Sequence, residues 1–173
     1  MGINSMDDLF IHALQDVYYA ENQIAKALPE MMGKVTEPAL FDHLEHHLDE
    51  TREHIKRLEQ IFQALGQTPQ GVTCKAILGL IEEGEEFVRE IGDEKVRDAA
   101  ILASAQAIEH YEINRYGTLI AWADQLGKQK VVDRRALGNL ELVDLLLLNL
   151  GEEKSQDAKL TALAESKVNR HAA

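Results

Sequence analysis

Four long helical stretches of this chain carry carboxylates or histidines where an apolar side chain is expected, and that pattern limits the folds open to it. An amphipathic helix keeps apolar residues on one stripe and charges on the other. Around "AIEHYEINRYG", the row spaced by three and four residues reads Leu102, Ala105, Glu109, Glu112, Tyr116, Leu119, Ala123, Leu126. Two glutamates interrupt it. Earlier in the chain, Glu21 falls between Val17 and Ile24, in line with Leu28. Near the end, Glu153 lies on a row with Leu142, Leu146, Asn149 and Leu160. A fourth stretch places His47, Glu50 and His54 at spacings of three and four, which brings them to one face. Several anionic carboxylates in one core repel one another, and each carries a large desolvation cost. Protonation, basic partners or a metal relieve it. The inward rows hold no Lys or Arg at matching positions. One or two divalent cations are therefore expected, and oxygen and imidazole donors suit iron, manganese or zinc.

The remaining signals are helical. Pro and Gly are few, and β-branched runs are almost absent. Asn4-Ser5 caps a first helix, with Asp7 and Asp8 favourable near its start. Pro29 is expected to kink or loosen its last turns. Thr36 is expected to cap a second helix, with Pro38 in its first turn, running to about Leu65. A shorter helix follows near Lys75 to Ile91. Asp93 caps a long third helix that runs to about Leu126. The rest reads as a short helix, a break near Gly138-Asn139, and a fourth long helix to about Lys167. Close links make one antiparallel hairpin of helices one and two and another of helices three and four. A long crossover joins the hairpins, which is the connectivity of ferritin-like bundles. The expected fold is all-α, a ferritin-like four-helix bundle with an extra helix in the long crossover. It forms a single domain over residues 1–168, with 169–173 a frayed tail. Such bundles build di-metal carboxylate sites from inward side chains on four helices.

Composition narrows the partners. The chain has 173 residues, enough for one domain with a substantial core, and a formal net charge of -12. That charge argues against nucleic acid or an anionic membrane surface as partner. Cys74 is the only cysteine, which excludes an internal disulfide and a Cys-based zinc site and fits a reducing, cytoplasmic setting. No signal peptide is seen, and the most apolar segment, "LELVDLLLLNLG", is too short to span a bilayer.

The stretches "LQDVYYAENQIAKALPEM", "HLDETREHIKRLEQIF", "AIEHYEINRYGTLIAWADQLG" and "GEEKSQDAKLTALA" resemble the YciE/YciF family of bacterial stress-associated proteins, within the ferritin-like superfamily. The resemblance covers nearly the whole chain. It implies a dimer and a dinuclear metal centre. Rubrerythrin-like relatives carry Glu on helix one, Glu-x-x-His on helix two, Glu-x-x-Glu on helix three, and Glu plus His on helix four. Glu21, Glu109, Glu112 and Glu153 match that pattern. Helix two departs from it, because Glu53 stands where the histidine after Glu50 would fall. The imidazole then comes from His47 or His54. Helix four departs too, with Asp157 four residues after Glu153. The resulting set is rich in oxygen donors, which favours hard cations.

The leading expectation is a stress-linked metal-binding protein with dinuclear iron or manganese, bridged by Glu50 and Glu153. Glu21 and Glu109 or Glu112 would be terminal ligands, and the site would react with dioxygen or peroxide. The chain lacks a rubredoxin-type Cys motif, so any electron donor would be a separate protein. The alternatives are a non-catalytic structural or metal-binding dimer and, behind it, an iron-storage cage. His110 and Tyr111 are expected to point away from the glutamate row.

Overall fold

A computed structural model of the chain describes residues 2–128 and 141–173. Five main helices carry the fold: α1 Met6–Met32, α2 Pro38–Ala64, α3 Lys75–Glu90, α4 Glu94–Gln125 and α5 Leu142–Leu163. A π-helical turn, Ala164–Val168, and a last helical turn, Asn169–Ala172, extend α5 past the expected end near Lys167. Lys167 Nζ, 2.6 Å from Glu37 Oε1, ties this extension to the start of α2. The described residues contain no strand. Among them no helix is long and apolar enough to cross a membrane. The short helix and break expected near Gly138-Asn139 lie outside the described residues.

Local chemistry accounts for the helix ends. The Ser5 hydroxyl accepts from the Asp8 amide at 3.1 Å and starts α1. Asp93 does the same for α4, accepting from Lys95 and Val96. The second helix starts one residue later than expected: its cap is Glu37, not Thr36. Asp98 of α4 takes Thr36 instead, accepting from its amide at 2.9 Å and its hydroxyl at 2.7 Å, and from the Glu37 amide at 2.8 Å. Pro29 sits in the last turn of α1 without ending the helix. Two glycines in left-handed conformation, Gly66 (φ 68°) and Gly127 (φ 63°), close α2 and α4. At Gly66 the Gln67 amide reaches back to the Phe62 carbonyl at 2.8 Å, a Schellman arrangement that a side chain there would strain.

The four long helices pack as α1 against α2, α2 against α5, α5 against α4, and α4 against α1. The stretch between α2 and α4 is the long crossover, and α3 within it lies against α1 and α4. This is the four-helix bundle with one crossover and an extra helix that the sequence implies.

The bundle interior has two apolar ends. One gathers Ile24, Leu28, Leu44, Ile101, Leu102 and Leu160. The other gathers Phe10, Leu14, Leu58, Phe62, Leu119 and Leu146. Burying each such side chain contributes about 1.5–3 kcal/mol. Between the ends every long helix turns polar. Glu21 lies between Val17 and Ile24, and His47, Thr51 and His54 lie between Leu44 and Leu58. Glu109 and Glu112 precede Tyr116, and Asn149, Glu153 and Gln156 lie between Leu146 and Leu160. All of these residues are buried. The stability of the two ends sustains a polar waist that opposes folding on its own.

Candidate metal centre

The waist is organised around two sets of converging donors. Glu21, His54 and Glu153 form one; His47, Glu109, Glu112 and Glu153 form the other. Within each set, one ligand-type atom per residue lies within 4.8 Å of all the others. Glu153 belongs to both. The two sets therefore share one corner, the Glu153 carboxylate.

A closed circuit of side chains holds the first set. His54 Nε2 lies 2.8 Å from Glu152 Oε2. Arg57 clamps Glu152 with both terminal nitrogens, Nη2 reaching Oε1 at 3.1 Å. Arg57 Nη1 also donates to Asn149 Oδ1 at 2.9 Å. Asn149 Nδ2 donates to the Tyr116 hydroxyl at 3.0 Å, and that hydroxyl donates in turn to Glu21 Oε1. Glu21 Oε1 stands 3.2 Å from His54 Nδ1, which closes the loop. Glu152 thereby fixes which imidazole nitrogen faces the waist, the arrangement by which a second carboxylate orients a metal-binding histidine. His54 Nδ1 also lies 2.9 Å from Glu153 Oε1. Neither short approach has hydrogen-bond geometry, so Nδ1 is left without a partner.

The second set has little support. His47 Nε2 stands 3.5 Å from Glu109 Oε1, and His47 Nδ1 has no partner. Neither oxygen of Glu112 is hydrogen-bonded. Buried polar atoms without partners are rare in folded proteins and each costs about 1–3 kcal/mol. Eleven such side-chain atoms occur among the described residues, and eight belong to the six residues of the two sets. The concentration of unmet carboxylate oxygens and imidazole nitrogens at one place is what a cation would satisfy.

Electrostatics agree. Burial pushes Glu109 up to about 12, with the charges of Glu153 and Glu21 adding to the effect. Burial and the same neighbours hold Glu112 well above the usual carboxylate range. For His54, burial favours the neutral ring, but Glu21, Glu152 and Glu153 outweigh it and raise the imidazole to about 12. Glu153 is held low despite its burial, chiefly by His54. Glu152, half-exposed, is held at about 2, with His54 and Arg57 overcoming desolvation. Protons on Glu109, Glu112 and His54 thus balance the charge of the waist, and a divalent cation would replace them.

Of the eight expected site residues, Glu21, His47, His54, Glu109, Glu112 and Glu153 converge. His47 and His54, set against each other as alternatives, each serve a different set. Glu50 and Asp157 stand apart. Glu50 accepts from Gln156 Nε2 and lies 3.1 Å from His46 Nε2. Thr51 takes the place on the inward row, its hydroxyl bonded to the His47 carbonyl at 2.8 Å. Asp157 sits on the flank of α5 facing α4, 3.1 Å from His110 Nε2; Gln156 fills the inward position beside it. His110 is exposed, as expected. Tyr111 is partly buried, and its hydroxyl meets Asp16 Oδ2 at 2.9 Å and Cys74 Sγ at 3.0 Å. Glu152 and Arg57 escaped the sequence reading because each looks like an ordinary surface charge. Only the packing of α5 on α2 joins them.

Similar proteins share this architecture. The family model described as "Domain of unknown function (DUF892)" matches residues 5–173. Protein YciF of Escherichia coli (strain K12) is 38% identical over 173 residues, covering 99% of this chain and 98% of the relative. The crystal structure of that stress protein superposes with a TM-score of 0.84 over 96% of this chain and 99% of its own. YcfI from Rhodopseudomonas palustris is 52% identical, with a TM-score of 0.83 over 92% of this chain and 94% of its own. The chain belongs to the DUF892 family and is a relative of the stress protein YciF, as its motifs lead one to expect.

Proposed function

We propose that this chain is a ferritin-like, stress-linked protein whose waist binds two divalent ions, iron or manganese. The observation that carries the proposal is the pair of donor sets sharing Glu153, with eight unpartnered buried atoms on their six residues. Glu21, His54 and Glu153 would hold one ion, and His47, Glu109, Glu112 and Glu153 the other. Two nitrogens against many carboxylate oxygens suit hard or borderline cations. When bound, iron or manganese supplies Lewis acidity and electrons for reaction with dioxygen or peroxide. The side chains do the rest. Glu109 and Glu112 give up protons as a cation enters. Tyr116, kept a neutral phenol by burial, donates to Glu21 and fixes its orientation. The apolar ends exclude bulk water from the waist. Glu50 and Asp157 lie outside this ligand set. A homodimer in the cytoplasm, served by a separate electron-donor protein, is the proposed setting.

A second function, a non-catalytic structural or metal-binding dimer, draws support from one observation. The Rhodopseudomonas neighbour is described as a candidate structural protein. Metal analysis after iron or manganese loading, followed by reaction with peroxide, separates the two. Two ions per chain and metal oxidation on peroxide addition support the reactive site. Two ions without oxidation favour the structural dimer, and fewer than one ion per chain defeats the two-ion site. Size-exclusion chromatography distinguishes a dimer from a storage cage.

A further inference from the structure

The six converging residues are buried, so an ion needs a way in. Two flanks of the bundle approach them, and their chemistry differs. Between α1, α2 and α4, a small cleft reaches His47 and Glu109 past Ile24, Leu28, Met31, Leu44, Ala105 and Ile108. That wall offers a cation no donor before the site itself. Between α2 and α5 a row of polar side chains, His46, Glu50 and Gln156, leads from surface to waist. His46 is 57% exposed and its Nε2 lies 3.1 Å from Oε1 of Glu50, which is 17% exposed. Glu50 Oε2 accepts from Gln156 Nε2. Gln156 is 1% exposed, its Oε1 has no partner, and it lies one turn from Glu153 on the inward row of α5. His43, half-buried, stands close enough to Lys159, Gln156, His46 and Glu50 for each to act on its ring.

We propose that His46 and Glu50 form an entry port for divalent cations, which pass by Gln156 to Glu153. The port rests on the two-ion function proposed above. It gives a role to Glu50, which belongs to neither donor set: Glu50 takes an ion from solvent, where an imidazole and a carboxylate make a loose first stop. The unpartnered Gln156 oxygen offers the next donor, and Glu153, common to both sets, can pass an ion to either side. A carboxylate at the mouth also raises the local cation concentration.

Stopped-flow loading of the full chain with cobalt(II), read by its visible absorbance, tests the port. His46→Ala and Glu50→Gln are each expected to slow loading by about tenfold, while both still reach two ions per chain at equilibrium. His110→Ala, on α4 where it faces the opposite flank of α5, is expected to load at the wild-type rate. Wild-type rates in either port variant, or equal slowing in His110→Ala, would overturn the port. So would loss of an ion at equilibrium in Glu50→Gln, which would make Glu50 a ligand. If the wild type takes up no cobalt, the two-ion site itself fails and the port with it. That outcome is distinct from normal uptake at an unchanged rate, which sinks the port alone.

Discussion

The two halves of the waist are built from the same residue types and supported very differently. Around Glu21 and His54, each side chain but the shared Glu153 is held by another, through Glu152, Arg57, Asn149 and Tyr116. Around His47, Glu109 and Glu112, atoms crowd together with almost no hydrogen bonds. A preorganised set loses little freedom on binding and fixes ligand geometry, whereas an unsupported set can rearrange. The held half should therefore take the first ion, and the loose half should take the second more weakly and change shape around it.

The largest effect should come from the shared corner. Glu153→Ala removes a donor from both halves, and metal analysis should find neither ion retained after desalting. Retention of one full ion would mean the halves are independent. Glu152→Gln attacks only the held half, because it loosens His54 without touching a donor of the waist. It should weaken the first ion by about 10- to 100-fold, read by calorimetric titration. Glu112→Gln attacks only the loose half. It should abolish the second binding event and leave the first, and it should leave metal-free stability nearly unchanged, since a neutral amide replaces a protonated acid of the same shape. A metal-free protein clearly destabilised by that change would show that Glu112 has a structural role.

Proton balance gives a smaller, graded test. Glu109 and His54 both have folded values raised to about 12. Above their unfolded values the folded chain then binds more protons than the unfolded chain, so their stabilising contribution falls as pH rises. Glu152 acts in the opposite sense, but its window lies between its unfolded value and about 2, in more acid solution. Metal-free melting temperature should therefore decline from about pH 5 to about pH 9, and saturating metal should flatten the decline. The smallest expected change is Tyr116→Phe, at about 1 kcal/mol of metal-free stability. It removes the hydroxyl that links Asn149 to Glu21 in the circuit while leaving the ring packed.

The sequence carried the two halves unequally as well. Helical periodicity alone put Glu21, Glu109, Glu112 and Glu153 on inward rows, because an apolar stripe with a charge in it is visible at any distance in the fold. Periodicity does not fix where the middle of a face lies to within one residue. Spacing by three and four puts Ile55 and Leu65 on one α2 stripe with Leu44, Thr51 and Leu58, yet both are only partly buried, whereas His47, His54 and Ile61 are buried. That small rotation moves Glu50 to the edge and brings both histidines inward. A similar offset on α5 exchanges Asp157 for Gln156. The supporting circuit was illegible for a different reason. Arg57 and Glu152 are 95 residues apart, and nothing in either segment names its partner. The Asp98 clasp on Thr36 and Glu37, 62 and 61 residues away, was hidden in the same way.

Anomalous scattering from crystals grown with manganese tests the central claim most directly, because it counts the ions and places them together. Two peaks per chain are predicted, one bounded by Glu21, His54 and Glu153 and the other by His47, Glu109, Glu112 and Glu153. A single peak elsewhere, or no peak in the waist at full manganese loading, would contradict the two-ion site.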